Sequence, residues 1–157
     1  MLSVRPLHED DFDTVYFWEN LPELWRVSEQ TGPFHSHEIQ AFMNRCLDNN
    51  QHDVERWIIC FDSEPIGAID IFDYDHRHHH CGIGIFIAEE QHRRRGYATE
   101  AIAYILDTLT NRGCRQVRAI IYDDNHSSAG LFLKVGFRQG ATTPYKGKTA
   151  TQYIKDL

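Results

Sequence analysis

Three successive arginines, Arg93-Arg94-Arg95, run directly into Gly96-Tyr97-Ala98 at the head of an apolar-striped segment. A helix that starts there presents N–H groups without intrahelical acceptors and the positive end of its dipole, which suits a phosphate or pyrophosphate. Gly96 and Ala98 are small enough for a bulky ligand to approach the backbone, and the arginines add charge beside it. The run is neither GxxxxGK[ST] nor GxGxxG, so a Walker loop and a dinucleotide fold are not indicated. For proton transfer, Asp70 is the notable carboxylate because it interrupts the apolar run Ile69-Asp70-Ile71. It is either a partly buried acid, and then a better base, or an acid on the solvated face of an antiparallel strand. In the run His76-Arg77-His78-His79-His80, alternation puts His78 and His80 on one face. There is no HExxH, no paired cysteine and no carboxylate at ligand spacing, so no metal is expected. The run reads instead as a solvated hairpin bordering a substrate cleft. Tyr74 and Trp25 are aromatics that either line that cleft or belong to the core.

These residues need elements to hold them. Leu2 to Leu7 reads as a strand, His8 to Trp18 as a helix with acidic Glu9, Asp10 and Asp11 in its first turn, and Asn20 to Pro33 as broken structure. A second helix is expected from Ser36, as N-cap, to about Asp48, with Ile39, Phe42, Met43 and Cys46 on one face. Arg56 to Phe61 is a strand, and a turn at Ser63-Glu64-Pro65 leads into another from Ile66 to Phe72. After a loop from Asp73 to His80, Cys81 to Ala88 forms a third, with Ile83, Ile85 and Ile87 alternating. The stripe Ala101, Ile102, Ile105, Leu106 and Leu109 predicts a helix over Tyr97 to Asn111, stopped by Gly113. A strand from Gln116 to Tyr122, a helix from Asn125 to Lys134 and a final strand pair reaching Ile154 complete the order β-α-α-β-β-β-α-β-α-β-β. This is a mixed α/β class with antiparallel hairpins at its centre.

With 157 residues, 41% hydrophobic and 25% charged, the chain reads as a single domain over residues 1–157 with a real core. No apolar run approaches the ~20 residues of a membrane span, and the first residues lack a signal-peptide h-region. No membrane partner is expected. Cys46, Cys60, Cys81 and Cys114 are scattered without CxxC, the pattern of reduced thiols in a cytoplasm. Packing rather than nucleophilic chemistry is expected of Cys60 and Cys81, which lie in apolar strands. A net charge of −7 argues against a nucleic-acid binder. That charge is uneven: residues 1–90 carry five Arg against eighteen Asp and Glu (−13), whereas residues 91–118 carry six Arg against Glu100 and Asp107 (+4). An acidic half beside a basic segment suits a cationic substrate meeting an anionic one.

The motif at Arg93, Gly96 and Ala98 resembles the Q/R-x-x-G-x-G/A signature of the GNAT superfamily of acetyl-CoA-dependent N-acetyltransferases. A second element, at Asn125, Ser128, Phe132, Lys134, Gly136 and Phe137, resembles that family's Asn-x-x-Ser/Ala followed by an aromatic and Lys-x-Gly-Phe. The chain looks closest to the branch with ribosomal-protein N-terminal and spermidine acetyltransferases. The resemblance implies one GNAT-like domain with a central, mostly antiparallel twisted sheet of about six to seven strands and helices on both faces. It implies acetyl-CoA as co-substrate and an amine acceptor (peptide N-terminus, polyamine or small amine) attacking directly in a ternary complex. A homodimer is one assembly it allows. The alternative is a non-catalytic acyl-CoA-binding or sensing domain of the same fold. By resemblance, backbone groups of Phe86, Ile87 and Ala88 hold the pantetheine. The arginine run and the amides of Arg94, Arg95, Gly96, Tyr97, Ala98 and Thr99 hold the pyrophosphate. Asn125, Ser128 and Phe132 complete the donor site, and the N–H of Ile87 or Ala88 polarises the thioester. Two positions depart from the family: Phe132 stands where relatives carry an acid tyrosine, and Gly82 where this branch often has a glutamate. Asp70, or a water it orients, is then the expected base.

Overall fold

Alternating and β-branched segments form seven strands joined as one sheet, in the order β1-β2-β3-β4-β5-β7-β6. The structure, a computed structural model, describes residues 1–25, 32–48 and 53–157, with the Trp25 side chain outside that description. The strands are β1 (Leu2–Pro6), β2 (Val54–Phe61), β3 (Glu64–Asp75), β4 (His80–Ile87), β5 (Gln116–Tyr122), β6 (Arg138–Tyr145) and β7 (Lys148–Asp156). Every neighbouring pair is antiparallel except β4–β5. That parallel pair is registered only at His80–Gln116, Cys81–Val117 and Gly82–Arg118, after which the two strands part. No described helix is long and apolar enough to cross a membrane.

Helices cover both faces. On one, α4 (Tyr97–Asn111) and α5 (His126–Lys134) pack on Trp57, Ile59, Ile69, Ile71, Ile83 and Ile87 through Ile102, Ile105, Leu109 and Phe132. On the other, Val15 and Trp18 of α1 (Phe12–Glu19) and Ile39 and Met43 of α3 (Ser36–Leu47) cover Ile58, Cys60, Ala68 and Ala88. The alternation of adjacent β2 residues between these two cores follows from strand geometry. Between α1 and α3 runs the four-residue α2 (Pro22–Trp25), and residues 26–31 of the stretch expected to be broken lie outside the described residues.

Several boundaries differ from expectation for local reasons. The first helix begins as a 3-10 turn over Glu9–Asp11, held because the Asp11 carboxylate accepts from the His8 N–H at 2.8 Å. The N-cap of α3 is His35 rather than Ser36, since the His35 N–H donates to Glu38 Oε1 at 3.1 Å. The β2–β3 turn is Asp62-Ser63, both at positive φ (49° and 69°), the geometry of a two-residue hairpin, so Glu64 and Pro65 belong to β3. The loop after β3 shrinks to residues 76–79, because the His79 N–H donates to Asp75 O at 2.7 Å and Asp75 pairs with His80.

Candidate active site

The gap left where β4 and β5 part exposes unpaired backbone in the middle of the sheet. Its character follows from register. Ala88 N–H donates to Ile66 O at 2.9 Å, and Ala88 stands opposite Ile66 when the Gly67–Ile87 register is extended by one residue. Antiparallel bonding alternates along a strand, so Phe86, opposite Ala68, also spends its N–H and C=O on β3. Ile85 and Ile87 therefore turn their backbone groups the other way, toward the gap. The Ile87 carbonyl is taken, accepting from Arg93 Nε at 3.0 Å, which leaves the Ile87 N–H pointing into the opening. This corrects two expectations: the backbones of Phe86 and Ala88 are committed to β3, and Ala88 cannot be the oxyanion donor. Ile85 faces the gap beside Ile87 and was missed, although the Ile83-Ile85-Ile87 alternation is the signal that finds it.

Immediately after the gap comes α4. Gly96 caps it at φ +81°, a left-handed conformation that side chains resist, and nothing lies within 4 Å of where a Cβ would sit. No side chain caps the helix, and the first intrahelical bond of its turn runs from the Glu100 N–H to Gly96 O at 3.1 Å. The N–H groups of Tyr97, Ala98 and Thr99 precede that bond, so open space before Gly96 meets a turn of donors. The cradle fits a pyrophosphate. The arginines divide their roles differently from expectation. Arg93 is a brace: it donates to Ile87 O and, at 3.2 Å, to Ala88 O, tying the loop to the end of β4. Arg95 donates to Gln91 O at 2.8 Å, and Arg94 is exposed at φ 61°. Tyr97 stacks on Phe61 with centroids 4.9 Å apart.

On the far side of the gap, Asn125 caps α5, its Oδ1 accepting from the Ser128 N–H at 3.3 Å. Its side-chain amide keeps N–H donors for another partner. Phe132, expected at the donor site, is a core residue: it is 1% exposed and packs edge-on against Phe137 with centroids 5.0 Å apart. Gly82 lies where β4 is still paired with β5. A Cβ there would meet Phe72 Cε2 at 2.4 Å, so the Phe72 ring occupies the space of any side chain at that position.

Asp70 is a partly buried acid, 26% exposed at the side chain, but it is engaged by a cation. Its oxygens accept from Arg56 Nε at 2.7 Å and Nη2 at 2.8 Å, while Arg56 Nη1 donates to Glu19 at 2.7 Å. The guanidinium is buried and lies over the rings of Phe42 (4.7 Å) and Phe86 (5.4 Å). Burial opposes its charge, but Asp70 and then Glu19 outweigh that and hold it more firmly protonated than a free arginine. As a base, Asp70 would surrender charge-assisted hydrogen bonds to a buried cation, so it is an anchor joining β3, β2 and α1. The missed residue is Arg56, opposite Asp70 in the β2–β3 register.

The chain holds four cysteines. All four are free thiols, burial pushes Cys46 up to about 12, and Cys81 and Cys114 lie 3.9 Å apart in the core. Tyr74 and the histidine run lie at the other end of β4 from the gap, so they do not border this site. Trp25's side chain lies outside the described residues.

Comparison with known proteins agrees with this geometry. A family profile described as the acetyltransferase (GNAT) domain matches residues 2–138. The uncharacterized N-acetyltransferase YoaA of Bacillus subtilis is 32% identical over 92 residues, a match spanning 57% of this chain and 51% of that relative. The spermidine N-acetyltransferase of Vibrio cholerae, solved with CoA and spermine, superposes with a TM-score of 0.87 at 15% identity, over 99% of this chain and 95% of that one. The ribosomal L7/L12 α-N-protein acetyltransferase RimL, solved with coenzyme A, gives 0.88 at 14% identity, over 99% and 94%.

Proposed function

Since the chain belongs to the acetyltransferase (GNAT) domain family, we propose that it moves the acetyl group of acetyl-CoA onto a cationic amine at the gap between β4 and β5. The observation that carries this reading is the pairing of the gap-facing N–H of Ile87, at the end of β4, with the open amides of the α4 turn one loop away. The α4 amides and Gly96 hold the pyrophosphate, Ile85 and Ile87 line the pantetheine, and Asn125 donates from the far side.

In the reaction the neutral amine nitrogen attacks the thioester carbon and a C–N bond forms. The Ile87 N–H donates to the oxygen as it becomes an oxyanion, the kind of preorganised donor that carries much of acyl-transfer catalysis. Collapse breaks the C–S bond and expels a thiolate, which with an unperturbed pKa of ~8.5 takes a proton from water. With Asp70 committed to Arg56 and no hydroxyl at Phe132, the amine proton passes to solvent. An α-amine, pKa ~8, is partly neutral at pH 7 and suits such a site better than a lysine at ~10.4.

The acceptor's charge is read from residues 1–90, whose five Arg stand against eighteen Asp and Glu. Four free thiols fit a cytoplasmic protein. A thiol-release assay with acetyl-CoA and a panel of cationic, neutral and anionic acceptors tests the reading. Turnover confined to cationic amines, with kcat/KM falling as salt rises, is expected; turnover of neutral or anionic acceptors alone overturns it.

A further inference from the structure

The hairpin between β3 and β4 carries three side chains for which acetyl transfer has no use. Asp75 ends β3 opposite His80, the first residue of β4. Its Oδ1 accepts from the backbone N–H groups of Arg77 and His78 at 2.9 and 3.0 Å, which fixes the carboxylate. Its Oδ2 then lies 2.8 Å from His78 Nδ1 and 3.6 Å from His80 Nε2. The two imidazoles lie nearly parallel, 17° apart. One donor atom from each of the three residues falls within 4.8 Å of the other two.

We propose that Asp75, His78 and His80 form a binding site for a divalent first-row transition metal, zinc foremost. Two imidazole nitrogens and one carboxylate oxygen are a donor set that zinc takes readily, with a water in the fourth position. Tetrahedral bonds of ~2.0–2.2 Å require donor atoms about 3.3 Å apart, and the observed 2.8 and 3.6 Å bracket that value. The two imidazole nitrogens lie within 4.8 Å of each other. The carboxylate is held in place: its Oδ1 is fixed by the turn's N–H groups, which leaves Oδ2 directed at the two imidazoles. The ion has access, because His78 is 66% and Asp75 35% exposed at the side chain. The carboxylate that linear spacing lacked is supplied by hairpin closure.

The site is separate from the transfer site. His80 and Ile87 stand at opposite ends of β4, about 23 Å apart at ~3.3 Å per residue. The same hairpin anchors β5, whose approach donates from the N–H groups of Arg115 (2.7 Å) and Gln116 (3.3 Å) to His79 O. A bound ion would thus staple β3, β4 and the start of β5 where they are still paired. This proposal stands independently of the acetyl-transfer reading.

The test is titration calorimetry with zinc chloride on the full chain, prepared without a histidine tag and stripped with chelator. Cobalt absorption reports the coordination geometry. One equivalent should bind and raise Tm, with tetrahedral cobalt bands. H78A, H80A and D75N should each weaken binding by about tenfold or more, since losing a ligand costs no less than losing its outer-shell partner. H76A and H79A should bind as the parent does. A cooperative thermal transition in the absence of zinc shows that each variant is folded, and the exposed His78 makes H78A the safest of them. Absence of stoichiometric binding overturns the proposal. So does equal loss in H76A and H79A, which would mark unspecific chelation by a histidine-rich tract.

Discussion

Replacing Asp70 by asparagine separates an anchoring carboxylate from a catalytic one. Asp70 accepts two hydrogen bonds from a guanidinium that is 5% exposed. Asparagine keeps one oxygen, while its amide nitrogen turns a donor toward an Arg56 N–H. Losing one hydrogen bond to a charged group costs ~1.5–3 kcal/mol, and stripping a buried ion of its partner ~3–5 kcal/mol. Glu19 remains on the guanidinium at 2.7 Å and Asp70 is 26% exposed at the side chain, so the lower part of that span applies, about 2–3 kcal/mol. For a chain of this size ~1 kcal/mol moves Tm by ~2–4 °C, which gives a fall of about 4–12 °C. The assay pairs thermal unfolding by circular dichroism with kcat and KM for one active amine. In the folded variant kcat should stay far above the ~10²–10⁴-fold loss that removal of a positioned base causes. In an Arg56→Met background, Asp70→Asn should cost little more, because the two residues act as one unit. An unchanged Tm with a hundredfold fall in kcat would refute the anchor and restore the base.

Gly96→Val places a β-branched residue at φ +81°, a strain of ~1–3 kcal/mol that twists the first turn of α4. Acetyl-CoA affinity by calorimetry should drop at least tenfold, and equal affinity would remove the cradle. Gly82→Ala drives a methyl to 2.4 Å from the Phe72 ring and should destabilise by ~1–3 kcal/mol, relieved when Phe72 is shortened to Leu. Denaturant unfolding of the single and double variants reads both terms. Asp11 governs acid stability. Burial alone would raise its pKa, but hydrogen bonds from Arg5 and the His8 N–H outweigh that and hold it below the usual carboxylate range. A folded pKa below the unfolded ~3.9 means that its stabilisation is complete above that value and lost as pH falls through the lower one. The Tm difference between the parent and Asp11→Asn should be full at pH ~6 and shrink below pH ~4.

What was legible in the sequence is what depends on local period. The α4 stripe stops at Gly113, and β5 runs over Gln116–Tyr122, because burial on one face of a helix or strand writes itself into adjacent residues. The acceptor side was not legible, because its contacts depend on register. Arg56 meets Asp70 only when β2 and β3 pair with those residues opposed, and nothing within either strand specifies it. Parity works the same way: whether Ile87 or Ala88 faces the gap is decided by which of them bonds to β3. Phe132 carries the family pattern, yet helix rotation turns it into the core against Phe137. Asp75 joins His78 and His80 only once a four-residue loop has closed, so linear spacing hid the carboxylate.

The Ile87 N–H is the centre of the account, and proline at that position deletes it. The bond to β3 belongs to Ala88, so proline at 87 removes no ladder hydrogen bond, and the edge it faces is open. Ile87→Ala is the control, because it trims the same side chain and keeps the N–H. The measurement is the kcat of amine-dependent CoA release for the two variants side by side, with acetyl-CoA affinity determined for both. Ile87→Pro should have a kcat lower by ~10²–10³-fold than Ile87→Ala, the effect of losing one oxyanion donor. Equal kcat values in two folded, acetyl-CoA-binding variants would contradict it.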